Sequence, residues 1–136
     1  MNRVTCVYAD DDPFVRELVT FNLETEGIEV HSCSTGIGVE EIVQRVRPDL
    51  VMLDVMMPGR DGYSVLRSLK SSEDTRAIPV VLLSAKASDA EIWEGWQAGA
   101  DYYLTKPFRI DHLVEYLQLI VAKARKSGGT GQVSSQ

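Results

Sequence analysis

Leu50–Asp54 reads LVMLD, four apolar residues running without a break into a carboxylate. A strand wet on one face alternates apolar and polar side chains, so an unbroken run implies that both faces are covered, as in a parallel sheet between two layers of helices. Two other stretches share this character: VTCVYA at Val4–Ala9, running into Asp10, and PVVLL at Pro79–Leu83, running into Ser84. Ile28–Cys33 (IEVHSC) alternates instead and reads as an edge strand, and Tyr102–Leu104 completes five predicted strands. Helical patterns separate them, and that alternation is the signature of βαβ units.

The helices are punctuated by recognisable stops. Asp12 before Pro13 reads as an N-cap with proline in the first turn, and Gly27 closes that helix, whose inward face is expected to carry Val15, Leu18 and Val19. Further helices are predicted over Gly38–Val46, Gly62–Lys70 and Asp89–Ala98 with Gly99 as C-cap, and from Asp111 onward with Leu113, Leu117, Ile120 and Val121 on one face. The 136 residues, 44% apolar, suit one globular domain, expected over residues 1–126, with 127–136 (SGGTGQVSSQ) as a flexible tail or the start of a linker. A net charge of −6 argues against nucleic-acid binding by this domain, because phosphate backbones are gripped by Lys and Arg. The cluster Lys123, Arg125, Lys126 reads as cations at a helix C-terminus. No apolar run is long enough to span a membrane and the N-terminus lacks a secretory pattern, so the expected location is the cytoplasm, with no membrane partner. Cys6 and Cys33, both in predicted strands, are expected as reduced thiols.

The polar residues of interest stand where strands stop: Asp10, Asp11 and Asp12 after the first, Asp54 after the third, Ser84 after the fourth, Lys106 after the fifth. Ligands of open parallel sheets bind outside the carboxyl ends of the strands, where the winding reverses. Wound in the order 2-1-3-4-5, the first and third strands are neighbours at that point, and all these groups converge on one crevice although about a hundred residues separate them. Carboxylates crowded there resist joint ionisation unless a cation compensates, and Mg²⁺, which takes one or two carboxylates plus water and phosphate oxygens, suits an open acidic cleft. With the cation present, Asp54 becomes a candidate nucleophile for a phosphoryl group. Mg²⁺, Lys106 and Ser84 would then neutralise its three oxygens.

The elements YADDDP, LDVMMPGRDG, LLSA and AGADYYLTKPF occur in an order and spacing that resemble the receiver domain of two-component response regulators, over about residues 3–125. The resemblance implies a single doubly wound (βα)5 domain of the flavodoxin-like class, with a five-stranded parallel sheet in the order 2-1-3-4-5 and helices on both faces. It implies that Asp54 is the phosphoacceptor, that Asp11 contacts Mg²⁺ directly and Asp10 through water, and that the backbone carbonyl of Met56 is the remaining protein ligand. Ser84 and Lys106 would contact the phosphoryl group, Pro107 would follow a peptide bond that is often cis, and Tyr103 would be the switch aromatic. Asp12 is read as the helix cap rather than a ligand. Met56 and Lys86 fall at positions that tune loss of the phosphoryl group, and a Met side chain, unable to orient water, implies slow hydrolysis.

The implied function is a phosphorylation-dependent signalling switch, not an enzyme beyond its own phosphotransfer and dephosphorylation. Its expected partners are a histidine kinase or phosphotransfer protein, an output domain or downstream protein, and a second copy through the surface of the fourth helix, fifth strand and fifth helix. Two other readings compete. A Mg²⁺-dependent aspartyl phosphohydrolase is weakened by the lack of a DxDxT element, and a flavin carrier by the loop DDDP, which repels phosphate. An unphosphorylated scaffold is a further alternative, although none of the key groups is missing. Trp96 is expected in the core along a stripe with Ile92 and Gly99, Trp93 partly exposed, and His31 and His112 at a strand surface and a helix start.

Overall fold

The computed structural model describes residues 3–85 and 88–130. Ten elements alternate: β1 (Thr5–Ala9), α1 (Pro13–Thr25), β2 (Glu29–Cys33), α2 (Val39–Val46), β3 (Leu50–Asp54), α3 (Gly62–Ser71), β4 (Val80–Ser84), α4 (Asp89–Ala98), β5 (Tyr102–Thr105) and α5 (Ile110–Thr130). All strand pairings are parallel, in the order β2-β1-β3-β4-β5, as expected of a doubly wound, flavodoxin-like sheet. Every residue of β3 and β4 is buried, whereas β2 at the edge is only partly so.

Alternation within the strands sorts the core into two halves. Val7, Ala9, Val51, Leu53, Val80 and Leu82 face α2, α3 and α4, packing on Val39, Val43, Leu66 and Leu69. Cys6, Tyr8, Leu50, Met52, Val81 and Leu83 face α1 and α5, packing on Val19, Leu23, Leu113 and Leu117. Tyr102 joins the second half and Tyr103 the first, the opposite facing that neighbouring strand residues require.

Several local expectations hold and others are corrected. The Asp12 carboxylate accepts the Phe14 and Val15 amides at 3.0 and 3.2 Å, and Gly99 ends α4 at φ +104°, a left-handed value that a side chain disfavours. The inward stripe of α1 runs through Val19 and Leu23, so Leu18 lies outward, 43% exposed. On α4 the inward residues are Gly95 and Ala98, because the helix lies close to the sheet: a Cβ on Gly95 would stand 3.1 Å from Leu82 and from the Tyr103 ring. That close approach leaves Trp96 outside the core with Trp93, at 47% and 64% exposure. Arg125 does not simply face a helix end; α5 continues to Thr130 while the Arg125 guanidinium bonds Asp49 at 3.1 and 3.3 Å and the Arg3 carbonyl at 3.1 Å. The helix thus passes the expected boundary at residue 126, and residues 131–136 of the expected tail lie outside the described residues, as does Lys86. Cys6 and Cys33 are both free thiols.

Candidate functional site

The crevice at the carboxyl ends of the strands opens where β1 and β3 are neighbours, and the register fixes its walls. Ala9 pairs with Leu53, Asp54 with Leu83 and Ser84 with Thr105, so Asp10, Asp54, Ser84 and Lys106 stand side by side across four strands. Backbone bonds knit the strand ends together: the Val55 amide donates to the Leu83 carbonyl at 2.9 Å and the Lys106 amide to the Ser84 carbonyl at 2.7 Å. Asp54 is held from below as well. A Cβ on Gly62 would come within 2.5 Å of the Asp54 carbonyl, so the turn into α3 closes tightly against the strand end.

Asp10 is fully buried and well provided with donors. The Tyr8 hydroxyl and the Lys106 ammonium donate to its Oδ2 at 2.8 and 3.0 Å, and the Asp12 amide to its Oδ1 at 3.0 Å. The Arg16 guanidinium donates to its carbonyl at 2.8 Å. Lys106 also lies 3.5 Å from Asp54 Oδ1. Asp11 is exposed at the mouth, and carboxylate oxygens of Asp10, Asp11 and Asp54 lie within 4.8 Å of one another. Ser84 is buried, and its residue joins the same strand-end row.

This crowding shifts the protonation of the site. Burial, reinforced by the neighbouring Asp10 and Asp11 charges and opposed by Lys106, pushes the Asp54 carboxyl up to about 7. Lys106 moves the other way in effect: its partial burial favours the neutral amine, but the Asp10 and Asp54 carboxylates outweigh it and hold the ammonium above its ordinary range. Burial and the adjacent Asp10 push the Tyr8 phenol up, which keeps it a donor. Three carboxylates facing one ammonium thus leave negative charge in excess. Their oxygens are close enough for one small hard cation to bridge, and the Asp54 carboxyl, reluctant to ionise alone, is the group such a cation would relieve. Asp10, Asp11 and Asp54 are therefore the side chains that fit Mg²⁺.

Two of the sequence-derived residues have less direct placements. Met56 is 72% exposed while its neighbour Met57 is buried in the core, so the β3–α3 loop is anchored by Met57. Tyr103 is half-buried beside Gly95 and close to Tyr63, whose hydroxyl donates to the Glu91 carbonyl at 3.0 Å; burial and the neighbouring Tyr103 push the Tyr63 phenol up. Sequence reasoning missed Tyr8 and Arg16 as supports of Asp10. Tyr8 was legible in principle, since positions 8 and 10 share one side of a strand; Arg16, one turn into α1, carried no such signal.

The model of the response regulator receiver domain matches residues 6–118. This chain belongs to the response regulator receiver domain family. It is similar to the DNA-binding dual master transcriptional regulator RpaA of Synechocystis, 37% identical over 114 residues, covering 84% of this chain and 47% of that protein. Among solved receiver domains, the BeF3-activated N-terminal receiver domain of Klebsiella pneumoniae RstA is 32% identical with a TM-score of 0.79, covering 86% of this chain and 97% of that one. The chemotaxis protein CheY4 of Vibrio cholerae is 26% identical with a TM-score of 0.83, covering 88% of this chain and 99% of that one. The chain spans about half the length of the curated relatives it matches. As a receiver domain it is a signalling module, and among the described residues no helix is long and apolar enough to cross a membrane.

Proposed function

We propose that this receiver domain is a switch driven by phosphorylation of Asp54. An oxygen of the Asp54 carboxylate attacks the phosphorus of a kinase phosphohistidine; the new P–O bond forms as the P–N bond breaks, and the imidazole leaves with the electron pair. Asp11, Asp54 and the Met56 carbonyl, with Asp10 through water, would hold Mg²⁺, which would neutralise charge on the carboxylates and the incoming oxygens. Lys106 and Ser84 donate to the remaining phosphoryl oxygens. The single observation that carries this reading is the meeting of the Asp10, Asp11 and Asp54 oxygens within 4.8 Å with the Lys106 ammonium 3.5 Å from Asp54.

Phosphorylation then acts by shifting a two-state population. Ser84 turns toward the phosphoryl group, Tyr103 follows, and the α4–β5–α5 surface changes. That surface speaks to an output domain or downstream protein, or to a second copy. The donor is a histidine kinase or phosphotransfer protein, and the setting is the cytoplasm. The exposed Met56 side chain offers no group to orient a hydrolytic water, which supports slow loss of the phosphoryl group. Incubation with acetyl phosphate and Mg²⁺, followed by intact-mass measurement, should show the addition of one phosphoryl group in wild type and none in Asp54→Asn. Equal labelling of the two proteins would refute the assignment.

A further inference from the structure

The β3–α3 loop that carries Met56 is tied down on its far side by residues outside the crevice. The Arg60 guanidinium donates to the Glu40 carboxylate at 2.6 Å and to the Ser64 carbonyl at 3.4 Å, so it joins the loop to the first turns of α2 and α3. Against the upward push of burial, hydrogen bonds from Ser68 and Arg60 hold the Glu40 carboxyl below its ordinary range, the sign of an ion pair that stays ionised. A second tie lies at the loop's tip. The Thr35 hydroxyl donates to the Pro58 carbonyl at 3.1 Å and accepts the Ile37 amide at 3.2 Å.

The backbones themselves touch between these ties. A Cβ on Gly36 would lie 2.3 Å from the Arg60 carbonyl, and one on Gly59, at φ +80°, would lie 2.8 Å from Ile37. On the near side Gly62 closes onto the Asp54 carbonyl, and its amide donates to Val55 at 2.9 Å. The loop between Val55 and Gly62 is therefore clamped at both shoulders. These ties fix both ends of the segment in which Met56 lies.

We propose that Glu40, Arg60 and Thr35 are positioning residues for the metal site, holding the β3–α3 loop so that the Met56 carbonyl is presented to the cation before it binds. The proposal rests on the metal reading given under Proposed function. It makes a prediction that charge alone contradicts. Through space, losing Arg60 removes a repulsion and should strengthen cation binding, whereas losing Glu40 removes an attraction and should weaken it. A clamp makes both losses act in the same direction.

The test titrates the protein with Mn²⁺, counted by electron paramagnetic resonance, and displaces it with Mg²⁺, without any phosphodonor. Glu40→Ala and Arg60→Ala should each weaken Mg²⁺ binding by about tenfold, the lower end of what partners of a metal ligand carry. The double variant should be no weaker than either single variant, because one clamp can be broken only once. Thr35→Val, which changes no charge and sits on a half-buried bend outside the core, should weaken binding in the same direction and keeps the test open if an Arg60 variant fails to fold. Unchanged affinities, or opposite shifts for Glu40→Ala and Arg60→Ala, would overturn the clamp while Asp11→Asn still abolishes binding. Wild-type binding by Asp11→Asn would instead overturn the metal reading, and the proposal with it.

Discussion

Replacing Asp54 by Asn should change how the stability of this domain depends on pH. The Asp54 carboxyl, pushed from 3.8 up to about 7 chiefly by burial and then by Asp10 and Asp11, holds its proton more tightly in the folded than in the unfolded chain. The sign follows from linkage: below the lower value both states are protonated and nothing is lost. As pH rises between the two values the unfolded chain releases its proton first, so folding loses stability until the folded carboxyl also ionises. At about 1.36 kcal/mol per pKa unit the whole loss is about 4 kcal/mol, of which about 2.5 kcal/mol falls between about pH 5 and about pH 8. Lys106 loses one partner in the variant, but the ammonium is charged throughout that window, so its contribution cancels from the pH difference. Urea unfolding of both proteins, followed by circular dichroism with a chelator present, gives the comparison. The stability advantage of Asp54→Asn should grow by about 2–3 kcal/mol from about pH 5 to about pH 8. A constant or shrinking advantage would refute the electrostatic account of the site.

Other substitutions separate the site's supports from its reacting groups. Lys106→Met leaves the fully buried Asp10 without its cation and should destabilise the fold by about 3 kcal/mol in denaturant unfolding at neutral pH. Gly62→Ala puts a methyl 2.5 Å from the Asp54 carbonyl oxygen, so the backbone must shift, and should cost about 1–3 kcal/mol and slow labelling by acetyl phosphate. Asp12→Ala removes the acceptor of the Phe14 and Val15 amides, so thermal unfolding should show a loss of about 1 kcal/mol while Mg²⁺ affinity falls only by the few-fold that a lost through-space attraction gives. A large drop in that affinity would mean that Asp12 is a ligand after all.

The parts of this fold that could be read from sequence are those governed by short periods. LVMLD and PVVLL announced strands covered on both faces, IEVHSC an edge, and Asp12–Pro13 and Gly99 the ends of helices, because each signal is carried by adjacent residues. The convergence of Asp10, Asp11, Asp54 and Lys106 was legible for a different reason. Parallel topology places every strand's end on one rim, so residues remote in sequence become neighbours by rule. Trp96 and Leu18 were misread because apolarity alone does not say how near a helix lies to its sheet. On α4 the small residues Gly95 and Ala98 occupy the contact and turn the large side chain out. Pairs such as Arg60 with Glu40, or Arg125 with Asp49, were illegible, since side chains that meet across loops leave no period in the chain.

Trapping the linkage itself tests the account most directly. Hydride reduction of the protein after treatment with acetyl phosphate and Mg²⁺ converts an acyl phosphate to an alcohol, so peptide mapping should find homoserine in place of Asp54 and the other carboxylates intact. Homoserine at Asp10 or Asp11, or none anywhere in a sample whose mass shows a phosphoryl group, would contradict it.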